Sequence, residues 1–308
     1  MLLRSAMNPV HIAVVGAGSF GRHHVRHLCA HPLVGRVTIV DRDRERARDL
    51  AAEHGANTAE SLEEVAPDGA VVAVPTEAHR TVAEPLLARG IAVLVEKPIA
   101  ATPAEAESLL RTSIASGAPV QVGHIERFSP AFRALAKAAG PVRHVCCRRH
   151  NPPRPVAPAA DVVLDLMIHD IDLALALCDA PVTRVAAMAP DGIGQEAAVA
   201  RIVFANGAVA DLSASRLSPV VERTLTVHDV AGVLHADLAA KTLHRTAKGT
   251  VSEITLSPGD NLAAELDDFL AAVSGRKSPD VDGAAGLAAL RVADEVRTAL
   301  SHHYKLSA

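Results

Sequence analysis

Along the first 125 positions the apolar residues fall into short, nearly continuous blocks at 10–15, 37–40, 70–74, 91–95 and 120–122. Blocks of that length without polar alternation predict strands buried on both faces. Helical stretches separate them at 19–30, 42–54, 79–89 and 102–116, and three of these stop at Gly55, Gly90 and Gly117, the residue type that accommodates a left-handed cap. Thr102-Pro103 supplies an N-cap and a first helical position. Ser61 with Glu64 resembles a capping box and predicts one more short helix. Strand–helix alternation of this kind predicts an α/β unit around a parallel sheet. Ligands in such sheets sit beyond the strand carboxyl ends. That directs attention to 16–21, Asp41, 75–79, 96–98 and 123–127.

After Arg127 the pattern changes. A helix over 130–139 leads to a strand at 142–149, then a proline-rich loop at 151–158. The stretch 161–177 predicts a strong helix, with Leu164, Ile168, Ile171 and Leu175 on one stripe. Six strand-like segments follow, at 183–189, 196–204, 208–216, 223–229, 232–236 and 250–256, and Asn206-Gly207 marks a hairpin between two of them. Helices near 261–274 and 283–301 close the chain. The expected organisation is therefore an α/β domain with a parallel sheet over 1–125 and an α+β domain with an open, mainly antiparallel sheet over 126–308.

The residue counts narrow the function. Net charge is −4, there is no Trp, one Tyr and five Phe. So little material for base stacking argues against a nucleic-acid partner. The apolar runs are too short and too interrupted to span a bilayer, and MLLRSAMNP lacks the apolar length of a signal peptide. We expect a frayed extension there, with Met7 as a second start, and a cytoplasmic protein. Cys29, Cys146, Cys147 and Cys178 form no C-x-x-C and no Cys/His set of zinc spacing, so buried thiols and no metal are expected. His23, His24 and His27 crowd the first helix and are expected to be surface or packing residues.

The first strand runs into Gly16, Gly18 and Gly21, a G-x-G-x-x-G. Gly16 suits a tight turn, Gly18 lets a pyrophosphate approach the backbone, and Gly21 lets the helix lie close to the sheet. The helix beginning near Ser19 and Phe20 would aim its free N–H groups at phosphates. Asp41 follows Gly21 by 20 residues, where an acid holds the adenosine ribose 2′-hydroxyl. The motif fits a nicotinamide dinucleotide, with a related nucleotide as the alternative. Asp41 favours NAD, whereas Arg42 and Arg44 are placed to receive the 2′-phosphate of NADP.

Two further stretches carry candidate chemistry. Lys97, in Glu96-Lys97-Pro98 after the fourth strand, is either a cleft lysine able to move a proton or an ordinary surface lysine. Asp165 and His169 are i,i+4 neighbours, with Asp172 three residues on. They make either an oriented imidazole or a solvated helix face. The lone tyrosine, Tyr304, has no Tyr-x-x-x-Lys and excludes short-chain dehydrogenase chemistry.

VLVEKPI at 93–99 and LDLMIHDIDL at 164–173, with the glycine motif, resemble the Gfo/Idh/MocA oxidoreductases over nearly the whole chain. The resemblance implies a Rossmann domain followed by an open-sheet domain, and a homodimer or homotetramer built on that sheet. It also implies dinucleotide contacts at 16–21, Asp41, Pro75-Thr76, His79 and Glu96-Lys97, with reaction residues at Lys97, Asp165 and His169. VQVGHIERFSPAF at 120–132 and ARIVFANGAVADLSASR at 200–216 are similar to the bacterial UDP-N-acetylglucosamine 3-dehydrogenases. Those enzymes oxidise the sugar 3-hydroxyl to a ketone that is then aminated for lipid A. On that basis a nucleotide-sugar substrate is expected. His169 would accept the proton and Lys97 polarise the oxygen, or the reverse, and Arg127, Arg149 and Arg154 would hold the diphosphate. A free sugar or cyclitol is the alternative substrate. A non-catalytic NAD-binding sensor is the alternative from outside the enzymes.

Overall fold

The first apolar block forms β1 (Val10–Val15), whose last four side chains are buried. The computed structural model describes residues 9–154, 160–190 and 192–306. The expected extension with Met7, and part of the proline-rich loop, lie outside them. β1 pairs in parallel with β2 (Val34–Val40) on one side and β4 (Gly69–Val72) on the other. β3 (Asn57–Ala59), β5 (Ala92–Glu96) and β6 (Val120–Gly123) complete a parallel sheet of order β3-β2-β1-β4-β5-β6. Strand order reverses beside β1, which opens a ligand crevice at its carboxyl end.

The helices between these strands are α1 (Ser19–Cys29), α2 (Arg44–His54), α3 (His79–Ala88) and α4 (Pro103–Ser116). Local signals account for their ends. Asp43 caps α2 by accepting from the Arg46 N–H, and Gly55 ends it at φ 71°. Thr102 caps α4 through the Glu105 N–H, and Gly117 ends it at φ 74°. The short helix expected from Ser61 and Glu64 does not form. Glu64 Oε2 instead accepts from the Glu60 N–H at 3.2 Å, and the chain passes through a turn.

The chain divides into two units: Met1–His124 with Leu262–Leu287, and Ile125–Asn261 with Ala288–Ala308. The contiguous boundary expected at 125/126 is thus corrected by a return of the chain. α7 (Asn261–Val273) buries Leu266, Phe269 and Leu270 in the same cluster as Ile12, Val14, Ile39 and Leu94. A side chain at Gly69 on β4 would strike Val273 Cγ2 at 2.7 Å, so the helix lies directly on the strand. Burying three such side chains stabilises by about 1.5–3 kcal/mol each, enough to dictate which core the helix joins. α8 (Gly283–Leu306) divides at Leu287, its later residues belonging to the second unit.

In the second unit, α5 (Pro130–Ala138) precedes β7 (Val142–His150). The predicted long helix begins as a π-helical turn, Val163–Met167, and continues as α6 (Ile168–Cys178). β8 (Val182–Met188), β9 (Ala197–Phe204), β10 (Val209–Ser215), β11 (Glu222–Asp229), β12 (Gly232–Asp237), β13 (Thr242–Ala247) and β14 (Thr250–Glu253) follow. They form a sheet of order β14-β13-β12-β11-β7-β10-β9-β8. Only β7–β10 is parallel among these pairs, because the chain between them crosses over through α6, β8 and β9. α5 and α6 share one core with Val145, Cys147, Ala210, Leu212 and Leu225. The opposite face carries His144, Cys146, Arg148 and His150 of β7 beside Asp211 and Ser213 of β10, all more exposed than their buried neighbours, Arg148 most of all.

Candidate active site

The turn after β1 has the geometry its glycines foretold. Gly16 has φ +102°, and a Cβ there would stand 2.5 Å from the Ala73 carbonyl oxygen. A side chain at Gly21 would run into the Gly16 carbonyl, whereas a Cβ at Gly18 would meet nothing within 4 Å. Two glycines are thus fixed by protein and the middle one by open space, which is what an approaching phosphate requires. The first helical bond of α1 runs from the Arg22 N–H to the Gly18 carbonyl at 2.9 Å. The N–H groups of Ser19 and Phe20 therefore precede the helical ladder, and both residues are exposed.

Asp41 is tied to this turn. Its Oδ2 accepts from the Ala17 N–H at 2.6 Å and its Oδ1 from the Asp43 N–H at 2.8 Å. A cavity of about 170 Å³ beside it is lined by Arg44, Ala47, Thr58 and Glu60 among others. Arg44 is held by both oxygens of Glu60, at 2.8 and 3.1 Å, while Arg42 is exposed. This donor set fits NAD: a fixed carboxylate faces the cavity, and one of the two arginines able to take a 2′-phosphate is already paired.

Pro75 is exposed and Thr76 opens a short 3₁₀ turn to Ala78. His79 is only 1 % exposed. Its ring lies between the carbonyls of Pro98 at 2.8 Å and Val74 at 2.9 Å. Burial holds its pKa below the usual imidazole value, against the pull of those carbonyls, so the neutral ring donates to one at a time. His79 ties two strand ends together and has no open face for a cofactor. Glu96 accepts from His24 Nε2 at 2.6 Å. Lys97 follows, half-buried, before a cis bond to Pro98. In this unit the structure brings together the glycine turn and Asp41, and separately Glu96, His24 and the Pro98 turn.

The second unit holds the remaining candidates. Asp161 Oδ1 accepts from the Val163 and Leu164 N–H groups at 3.0 Å, which fixes the start of the π turn. Asp165 lies on that turn and His169 in the first turn of α6, both half-buried. Asp165 Oδ2 is 3.5 Å from Arg216 Nη1. Arg216 is itself buried, bonded to Glu196 at 3.0 and 3.2 Å and to the Gln195 and Ala160 carbonyls at 2.7 and 2.9 Å.

The three arginines expected to hold a diphosphate part company. Arg149 is buried and donates to Glu126 at 2.7 Å and to Asp170 at 2.8 and 3.1 Å, so its guanidinium is committed inside the core. Burial pushes the Asp170 carboxyl up, against the pull of Arg149. Arg127 Nη1 lies 3.4 Å from Asp172 Oδ1. Arg154 alone is exposed. The sequence reading missed Arg216, Glu126, Glu196 and Glu265. Arg216 had a signal: Ala210, Leu212, Ala214 and Arg216 continue one inward alternation, and an inward arginine must find a carboxylate.

Comparison with known proteins matches two family descriptions. Residues 10–124 match an oxidoreductase family with an NAD-binding Rossmann fold, and residues 134–235 match the corresponding C-terminal domain. The chain belongs to the Gfo/Idh/MocA oxidoreductase family. Among relatives, it is 32 % identical to the UDP-N-acetylglucosamine 3-dehydrogenase of Acidithiobacillus ferrooxidans, over 93 % of this chain and 96 % of that protein. A solved structure of that enzyme superposes with a TM-score of 0.90, covering 94 % of this chain and 97 % of that one. The inositol 2-dehydrogenase of Rhizobium meliloti is 26 % identical over 97 % of this chain and 99 % of its own length. As a member of this family the chain is an NAD-dependent dehydrogenase acting on CH–OH groups. No described helix is long and apolar enough to cross a membrane.

Proposed function

We propose that this dehydrogenase oxidises the 3-hydroxyl of UDP-N-acetylglucosamine to a ketone. The observation that carries the reading is the match, over almost the whole of both chains, to an enzyme of that name. Bound NAD supplies the acceptor for the hydride that leaves the ring carbon. In the proposed reaction the hydroxyl proton passes to His169 Nε2 or Nδ1, and the Lys97 ammonium polarises the hydroxyl oxygen as the C=O bond forms. Asp165 orients the imidazole and Arg216 holds Asp165. Arg154 and Arg127 are the arginines proposed to meet the diphosphate, and Arg149 leaves that role to them. An inositol-type polyol is the second reading, favoured by the full-length likeness to an inositol 2-dehydrogenase.

We further assign the open face of the second sheet as the contact between copies in a homodimer or homotetramer. The face exposes Met188 and Val199 beside paired charges such as Arg201 and Asp211, a mixture suited to an interface rim and core. A cytoplasmic setting and a role in supplying a 3-amino sugar for lipid A complete the proposal. The test is the appearance of reduced nicotinamide when purified protein and NAD meet UDP-N-acetylglucosamine, with a carbonyl trap to draw off the ketone. Turnover with the UDP-sugar and none with free inositols supports the reading. Turnover only with free polyols replaces it with the second, and NAD binding without turnover on any sugar points to a sensor.

A further inference from the structure

Three buried ionisable groups that the proposed reaction does not use gather at the carboxyl end of β5. His24 on α1 and Glu96 are joined at 2.6 Å, with side chains 1 % and 12 % exposed. Glu265, on α7, is 1 % exposed. One donor atom from each of the three lies within 4.8 Å of those of the other two. Glu265 Oε1 and His24 Nδ1 have no hydrogen-bond partner among the described residues. The backbone is shaped around them. Gln121 Nε2 donates to the Glu265 carbonyl at 3.1 Å, and a Cβ at Gly123 would stand 3.0 Å from Glu96 Oε2.

Two carboxyls this close and this dry do not both ionise. Burial pushes Glu96 up, but the His24 hydrogen bond and the charges of His24 and Lys97 outweigh it and hold Glu96 below the usual carboxylate range. Burial, then Glu96, then Asp268 push Glu265 well above that range. Glu96 is therefore the anion and Glu265 the acid. A cation is the other reading of one imidazole and two carboxyls. Two ligands of a tetrahedral zinc ion stand about 3.3 Å apart, given metal–ligand distances of about 2.0–2.1 Å. The His24–Glu96 contact, at 2.6 Å, is too short for that and is a hydrogen bond.

We propose that Glu265 is a neutral positioning residue, whose protonated carboxyl acts with His24 to fix the Glu96 carboxylate immediately before Lys97. The proposal rests on Lys97 taking part in the reaction. A fixed anion beside Lys97 keeps its ammonium in one place. α7, which returns from far along the chain, thereby completes the setting of a residue on β5.

Glu265→Gln keeps size and neutrality, and Glu265→Leu removes hydrogen bonding. The Gln variant is expected to bind NAD and turn over within about twofold of the parent, with an unchanged pH profile. The Leu variant is expected to lose about 10- to 100-fold in kcat/KM, the scale of one hydrogen bond to a charged group, with a displaced pH profile. Thermal unfolding supplies an independent readout. A carboxyl whose folded pKa is raised contributes stability that is whole below its unfolded value, about 4.3, and is lost as pH rises through the folded value. The parent should therefore lose stability on the alkaline side more steeply than Glu265→Gln. A Gln variant as impaired as the Leu variant, a Leu variant as active as the parent, or parallel unfolding curves would overturn the proposal. So would a stoichiometric divalent metal that the parent retains and the Gln variant loses. If the Leu variant does not fold, the unfolding curves of the Gln variant decide. Full turnover in Lys97→Ala defeats the reading of Lys97 and leaves those curves to judge Glu265 alone.

Discussion

Replacing Arg149 by Met should unfold the protein more readily and should not read as a substrate-binding defect. The guanidinium and its partners Glu126 and Asp170 are 4 %, 8 % and 4 % exposed, with contacts at 2.7 and 2.8 Å. At that separation each pair is worth roughly 6 kcal/mol at an effective dielectric of 20, against a desolvation penalty of several kcal/mol per ion. The intact triad is thus close to balanced. Removing only the cation leaves two carboxylates buried without compensation, a loss of about 3–5 kcal/mol. For a domain of this size that lowers Tm by roughly 6–20 °C. The assay is thermal or denaturant unfolding, with Arg44→Ala as the control. Arg44 and Glu60 are both more than half exposed, so that pair contributes about 0–1 kcal/mol. The loss in Arg149→Met should also shrink in acid, where the stranded carboxyls take up protons. A stability change no larger than the control's, together with a raised KM for the sugar nucleotide, would refute the reasoning and return Arg149 to the substrate.

Three other expectations follow from the geometry. Asp41→Ala should weaken NAD about 10- to 100-fold, by loss of charged hydrogen bonds. Adding Glu60→Ala should release Arg44 and raise NADP affinity relative to NAD, and an unchanged NADP/NAD ratio by titration calorimetry would show that this cavity does not hold the ribose. Lys97→Ala and His169→Ala should each lower turnover about 10²- to 10⁴-fold, and normal turnover in both removes them from the reaction. Burial depresses the His79 pKa, so its contribution to stability is whole above about pH 6.5 and lost as pH falls through the folded value. His79→Gln should flatten that acid-side loss, and parallel curves would mean that folding does not depress the ring's pKa.

Much of the first unit was legible because a parallel sheet covered on both faces shows itself as unbroken apolar blocks. β1 with the glycine turn, and the caps at Thr102, Gly55 and Gly117, follow from local chemistry that tertiary packing did not override. Two strands escaped. β3 has three residues, all of them at least partly exposed, and β13, TLHRTA, has one buried side chain, Leu243, so neither shows alternation or a block. α7 was visible as a helix near 261–274. Its pattern gives a face, yet cannot say which of two cores that face joins. The arginines show the same limit at the site. Arg149 and Arg154 are equal as letters, and only the fold puts one against Glu126 and Asp170 and leaves the other exposed. The π turn at Val163–Met167 left no mark in the sequence, and it carries Asp165.

The return of α7 to the first unit sets an order of events during synthesis. The nascent chain emerges from its N-terminus, so β1 to β6 are made while Leu266, Phe269 and Leu270 do not yet exist. Residues 125–261 must be translated in between, roughly 7–27 s at ribosomal speed. For that interval the strand surface around Gly69 lacks α7, although α1 and α2 already pack into the same cluster. Apolar strand surface held open for that long is what a chaperone recognises and what aggregation exploits. A truncation after residue 125 makes the interval permanent. The nucleotide-binding fragment, cut at the boundary the sequence suggests, should therefore be found in the insoluble fraction, and the fragment extended by a tethered copy of residues 262–287 in the soluble one.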